Sequence, residues 1–235
     1  DDKGTQKEVV SAAFKGVQIA QMQSTKMPAQ NEWYFVVSHR FGDLNNGINN
    51  FFGLDGAQTK IGGIYGITSG LAIQASRSSN NEKTYELGVK YRIANQRVDG
   101  FPVTIVGFNT ANIDSYKINE FYPKATFTNR VSFASEILIS RKFGERFSAQ
   151  LTPTYIHRNL YDALREQENL FLIGAGARLK VSKRISLTAD YSGRVSLPDE
   201  FNSPYRNPFT FGMDIDTGGH IFQLVFSNTQ NMDDV

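Results

Sequence analysis

The sequence predicts an all-β protein: a transmembrane, antiparallel, up-and-down β-barrel of about twelve strands, eleven of them legible in the 235 residues. Three observations lead there. Apolar and polar residues alternate with period two along most of the chain. The connections between alternating segments are by turns short and long. The apolar faces match across the short turns.

Alternation is clearest in Phe147-Ser148-Ala149-Gln150-Leu151-Thr152-Pro153-Thr154-Tyr155, in Ile185 to Ser192 and in Thr84 to Ile93. A strand sends these residues to two separate faces, whereas a helix would scatter them around its circumference. The strands are predicted, in order, at 32–41, 57–67, 71–78, 82–94, 100–112, 126–143, 147–158, 168–181, 185–196, 208–216 and 219–228. Helix is scarce, with one short turn expected at Gly47 to Phe52. Residues 1–30 are polar and weakly patterned, and read as a periplasmic or inner segment preceding a barrel at 31–235. Asp1-Asp2-Lys3 is not a charged-then-apolar leader, which fits a processed start.

The short connections are 68–70, 94–100, 144–146, 182–184 and 217–218. The others, 42–56, 113–125, 159–167 and 197–207, are long, with 79–81 the exception. Short turns on the periplasmic side and long loops outside are the pattern of outer-membrane barrels. Antiparallel partners must share a face. The turns then pair Phe143 with Phe147, Ile139 with Leu151, Val181 with Ile185, Ile67 with Leu71, and Ile215 with His220.

Composition bounds the function. Cysteine is absent, which excludes disulfide scaffolds, thiolate metal sites and a cysteine nucleophile. With 25 basic and 23 acidic residues the chain lacks the charge excess of a nucleic-acid binder. Mean hydropathy is −0.35 and no apolar run suits a transmembrane helix. Strands of this length favour a membrane barrel over a soluble sandwich or lipocalin-like barrel, which the alternation alone would also fit.

The apolar face would then meet lipid. It carries Trp33, Phe35, Val37, Phe41, Tyr85, Tyr91, Phe143, Phe147, Tyr155, Phe171, Tyr191, Phe209, Phe211, Phe222 and Phe226, many near strand ends where rings form an interfacial belt. The opposite face carries ten basic and five acidic groups: Arg40, Lys60, Glu86, Lys90, Arg92, Arg130, Glu136, Lys142, Arg158, Arg178, Lys180, Asp190, Arg194, Asp214 and Asp216. These are expected to line a narrow lumen and to fill it with salt bridges, Lys142, Arg178 and Lys180 facing Glu136, Asp190, Asp214 and Asp216. The alternative is an open pore favouring anions, with Arg40, Arg130, Arg158 and Arg194 at its outer mouth.

Several segments resemble a known family. His39-Arg40-Phe41-Gly42 with Asn45-Asn46-Gly47, Phe52-Gly53-Leu54-Asp55, Pro153 to Asn159, and Thr217 to Leu224 are similar to an uncharacterised Bacteroidetes family of outer-membrane β-barrels. The resemblance spans about residues 26–230. It implies an outer-membrane barrel and brings no activity or catalytic residues with it. Members would be expected to run on into one more C-terminal strand.

Parity agrees with that expectation. With short turns periplasmic, the first and eleventh strands both run outward and Val235 falls outside, whereas such barrels usually have even strand numbers. Either the last strand is missing from this chain, or Phe14 to Gln23 forms the twelfth.

No site for chemistry emerges. The three histidines, His39, His157 and His220, fall on the lipid-facing side, two at one rim and one at the other, so no metal or cofactor is expected. A lipid-acting enzyme would need a serine within reach of a histidine, but Ser38 faces away from His39. Gly62-Gly63 and Gly174/Gly176 read as bends or close-packing sites. Residues 44–50 read as a polar extracellular loop in preference to a weak calcium site. The reading is a non-enzymatic barrel, an accessory subunit of an envelope assembly. Its partners would be outer-membrane lipid and other envelope proteins.

Overall fold

The computed structural model describes residues 7–80, 83–116, 123–161, 166–195, 206–229 and 232. The eleven strands are β1 (Trp33–Arg40), β2 (Gln58–Thr68), β3 (Leu71–Ser78), β4 (Thr84–Ala94), β5 (Thr104–Asp114), β6 (Val131–Lys142), β7 (Phe147–Arg158), β8 (Asn169–Lys180), β9 (Ile185–Arg194), β10 (Phe209–Asp216) and β11 (Ile221–Ser227). They form one antiparallel sheet in chain order. Among the described residues β1 pairs with β2 alone and β11 with β10 alone, so the sheet is not closed. Val235 lies outside the described residues.

Ten antiparallel steps separate β1 from β11, so the two edges run in the same sense. The short connections after β2, β4, β6, β8 and β10 gather at one end, here the turn end. The remaining connections gather at the other, the loop end.

Two strands begin later than the alternation suggests. Before β5, Pro102 has no N–H to give a ladder. Before β6, Asn129 Oδ1 accepts from Thr126 N and Arg130 N donates to Phe127 O, both at 2.9 Å, closing a turn where strand was expected. The short turn expected at Gly47 to Phe52 belongs to a longer 3-10 stretch, Leu44–Gly56, broken by non-helical residues at Gly47 and at Asn50 to Gly53.

The register holds at Phe143–Phe147, Ile139–Leu151 and Val181–Ile185. It differs at two turns. A bulge at Ile67 pairs Thr68, not Ile67, with Leu71. The last turn spans 217–220, so Ile215 pairs with Phe222 instead of His220. That slip of two residues keeps every side chain on its expected face, which is why alternation could not detect it.

One face of the sheet is apolar and exposed, the other polar and largely buried. The exposed set includes Trp33, Phe35, Tyr85, Tyr91, Tyr155, Tyr191, Phe211 and Phe222. Two rows of aromatics mark its ends. At the turn end Trp33 packs on Tyr65 at 4.7 Å and Phe143 on Phe147 at 5.6 Å; at the loop end Tyr155 packs on Phe171 at 5.0 Å. Phe147 and Tyr155 sit eight residues apart on β7, about 27 Å of strand, or roughly 21 Å of height at a barrel tilt, so their rings fall near the two borders of a ~25 Å apolar band.

The inner face also holds an apolar patch that the alternation missed: Ile64, Ala72, Val106, Phe108 and Leu138 with Met27, flanked by Val17, Tyr34 and Val36. Two of these residues, Met27 and Val17, precede the sheet. Residues 14–23 do not add a strand to either edge; they lie against the inner face. The twelfth-strand role for Phe14 to Gln23 is thereby corrected.

Candidate functional site

The inner face of the sheet is occupied by the N-terminal segment. It starts at the turn end, where Val10 N donates to Gln96 O and Val98 N to Glu8 O, both at 2.9 Å. It leaves at the same end, where Asn31 N donates to Gly66 O at 2.8 Å. Between these points residues 17–24 form a small hairpin. Ser24 N donates to Val17 O at 2.9 Å, Gln18 bridges Gln23, and Ile19 N closes the tip on Met22 O at 2.8 Å. Phe14, Ile19 and Ser24 are essentially inaccessible to solvent.

The tip is held by a carboxylate. Asp190 Oδ2 on β9 accepts three consecutive backbone N–H groups, from Ala20 at 3.0 Å, Gln21 at 2.7 Å and Met22 at 2.9 Å. Three converging amides form a small anion nest, and a buried carboxylate needs such donors. Gly174 and Gly176 on the inner face of β8 make room for this tip. A Cβ added to Gly176 would lie 2.5 Å from Ile19 Cδ1, and one on Gly174 2.5 Å from Met22 Cε. Both glycines are the close-packing sites that the sequence suggested.

Glutamines and hydroxyls complete the clasp. Gln150 on β7 accepts from Thr25 N at 3.2 Å and donates to Gln23 O at 2.7 Å. Gln223 on β11 donates to Ile19 O at 2.9 Å and to Asp214 Oδ1 at 2.8 Å. Thr25 Oγ1 and Ser140 Oγ on β6 lie 2.6 Å apart, and Lys90 Nζ on β4 donates to Ser24 O at 3.0 Å. Gln21 Oε1 accepts from Thr210 and Ser227, both at 3.2 Å, with Arg40 Nη1 at 3.5 Å. The hairpin thus ties together β1, β4, β6, β7, β9, β10 and β11.

A second buried network lies toward the loop end. Lys60 Nζ pairs with Glu86 Oε2 at 3.0 Å, and Gln74 Nε2 donates to Glu86 Oε1 at 2.9 Å. Lys60 also donates to Met232 O at 2.9 Å and Arg40 to Thr229 O at 2.7 Å, so Thr229 and Met232 lie against the inner face.

The fifteen expected lumen charges divide by height. Lys60, Glu86, Lys90, Glu136, Arg178, Asp190 and Asp214 are buried. Arg40, Arg92, Arg130, Lys142, Arg158, Lys180, Arg194 and Asp216 are half-buried. Several of these charges also contact the main chain or neighbouring turns. Asp190 holds main-chain amides, and Arg130 donates to Asp114 O and Tyr116 O at 3.1 and 2.6 Å. Lys142 pairs at the turn end with Glu145 at 3.1 Å and with Ser11 Oγ at 2.7 Å. That ammonium holds the Glu145 carboxyl below its usual range. Asp216 faces Lys15 of the N-terminal segment at 3.6 Å.

The histidines serve local polar contacts. His39 Nδ1 lies 3.0 Å from Thr59 Oγ1. His157 contacts Asn169 and Asn159 at 2.9 and 3.2 Å, while His220 stacks on Phe222.

Sequence reasoning missed the clasp residues Gln21, Gln150, Gln223 and Thr25. One signal was available: Phe14, Val17, Ile19, Met22 and Met27 are large apolar residues in the segment before β1, and Phe108 and Leu138 are apolar residues on the otherwise polar faces of β5 and β6.

An exposed apolar wall, a buried polar interior and up-and-down strands together describe a barrel wall built for lipid. Residues 14–235 match the family described as a membrane-bound β-barrel domain, DUF5777. The chain belongs to that family. No curated protein and no solved structure matches it. The membrane location therefore rests on the family and on the wall, and the inner hairpin is a feature of a membrane-bound barrel domain.

Proposed function

We propose that this protein is a non-enzymatic outer-membrane β-barrel of a Gram-negative bacterium, with a lumen sealed by its own N-terminal segment. We propose that it serves as an accessory subunit of an envelope assembly. The turn end faces the periplasm and the loop end the exterior. The observation that carries the closed lumen is the clasp of Asp190 on Ala20, Gln21 and Met22. A barrel whose interior is occupied by fixed chain offers its wall, loops and rims as working surfaces.

Closure takes twelve strands in this reading. β1 and β11 run in the same sense, so one strand antiparallel to both fills the seam between them. Open sheet edges do not face hydrocarbon, because no water is present there to satisfy the free N–H and C=O groups.

Conductance across planar bilayers tests the sealed state. The intact protein is expected to be silent, and a variant lacking residues 7–28 to give steps. Steady anion-selective steps from the intact protein, shifted by charge reversal at Arg178 or Arg130, would support a small anion-leaning channel instead. Lipid hydrolysis lost in His157→Ala would overturn the non-enzymatic reading.

A further inference from the structure

The loop between β1 and β2 has no part in the sealed lumen. It carries Leu44, Ile48, Phe51, Phe52 and Leu54 as exposed side chains, Ile48 at 81%. Residues 44–54 include no charged residue; Asp43 and Asp55 stand at the two ends. This is a closed loop with its own framework. Gly42 N donates to Gly53 O at 2.8 Å, Asp43 Oδ1 accepts from Asn45 N at 2.8 Å, and Asn50 Oδ1 accepts from Gly53 N at 2.9 Å.

The framework holds an uncommon backbone. Phe51 and Phe52 both have positive φ, 47° and 55°. For bulky residues that region is a genuine outlier, costing of order 1–3 kcal/mol each. Asn or Gly would take it at little cost, and both types are abundant within this same loop. The strained positions instead carry two phenyl rings turned out of the fold. An exposed apolar surface of this kind marks a contact with something outside the chain.

The nearest apolar phase is the one that the wall already meets. Phe41 is exposed at the end of β1, and the Gly42–Gly53 hydrogen bond brings the backbone flanked by the exposed Phe52 and Leu54 back to that strand end. The loop's apolar side chains therefore continue the lipid-facing surface of β1 past the end of the strand. A segment with large apolar side chains, several asparagines and no charge at its centre suits the headgroup–acyl boundary.

We propose that loop 42–56 is a membrane-resting foot, its phenyl and aliphatic side chains inserted in the lipid leaflet at the loop end of the barrel. The occupant of this surface is bilayer lipid. The proposal rests on the membrane location of the barrel wall and is independent of whether the lumen is sealed.

Tryptophan fluorescence tests it, because Trp33 is the sole tryptophan and lies on the lipid-facing wall at the opposite, turn end. The unaltered protein and the double variant Trp33→Phe/Phe52→Trp are placed in phosphatidylcholine vesicles with and without a lipid brominated near the headgroup. A second double variant, Trp33→Phe/Ile48→Trp, reports should the first fail to fold. Emission from the loop probes is expected to fall about twofold with brominated lipid, as for Trp33, and to resist acrylamide. Loop probes untouched by bromine but quenched by acrylamide would overturn the proposal, as would probes shielded from both, which would mean a protein occupant. An unquenched Trp33 would remove the membrane-spanning wall and this foot together, while leaving the sealed-lumen reading to its own conductance test.

Discussion

Inner positions of β4 and β1 carry comparable side chains and have different fates. On β4, Thr84, Glu86, Gly88 and Lys90 are all buried; on β1, Tyr34, Val36, Ser38 and Arg40 are only half-buried. β11 repeats the β1 pattern, and its outward Phe226 is among the most exposed rings of the wall, as is Phe35 on β1. A central strand has a neighbour on each side and the N-terminal hairpin above it. An edge strand lacks one neighbour, so solvent reaches its inner face from that side. Burial along this sheet is thus set by position in the strand order more than by residue type.

The comparison yields graded expectations. The largest concerns the point where the centre holds the hairpin. Asp190→Ala removes the acceptor of three buried amides and is expected to weaken hairpin docking by about 3–5 kcal/mol. Amide hydrogen exchange of residues 17–25 reads this directly. Unchanged protection would mean that the clasp is incidental. Gly176→Leu is next. It fills the space under Ile19 without touching a hydrogen bond, and overpacking is expected to cost about 1–3 kcal/mol. The same exchange measurement should respond, with strand amides of β8 remaining protected.

A matched pair of valines then separates centre from edge. Val106 on β5 is fully buried, whereas Val36 on β1 is half-buried against the same apolar patch. Val106→Ala is expected to cost about 1–2 kcal/mol and Val36→Ala less than half of that. The temperature at which the folded band converts on an unboiled gel ranks them. Equal shifts would show that β1 is as covered as β5, and the contrast between edge and centre would fall. The smallest effect is at the turn end. Glu145 is fully exposed beside Lys142. Its depressed carboxyl contributes stability present above the ordinary carboxylate range and lost as pH falls through it. Glu145→Gln is expected to leave the conversion temperature unchanged at pH 7 within error, since exposed pairs contribute little.

Much of the wall was legible in the sequence because a strand's period of two is local. Phe147 to Tyr155 declares both of its faces without reference to any other segment. The interior was not legible for the opposite reason. Asp190 looks like a partner for Arg178 or Lys180, since side-chain lists pair charges with charges. Its hydrogen-bond donors include three main-chain amides, which no composition reveals. Gln150 and Gln223 were hidden likewise, because a neutral amide in an alternating strand looks like any solvated polar residue. The shifted turn at 217–220 escaped because a slip of two residues preserves the faces. The 3-10 stretch at Leu44–Gly56 escaped because two phenylalanines with positive φ follow no residue preference.

The clasp also has a bearing on time. Asp190 stands 170 residues after Ala20 and Gln150 stands 125 after Thr25. The hairpin and two of its main anchors, on the seventh and ninth strands, are thus far apart along the chain. Contacts of such sequence separation form late, after the loop-closure entropy of the intervening chain has been overcome. Docking of the hairpin is therefore expected among the last steps of folding, and a sheet without β9 lacks the Asp190 anchor. Placement of the ninth strand is therefore expected to precede docking of residues 20–22, whose amides need Asp190.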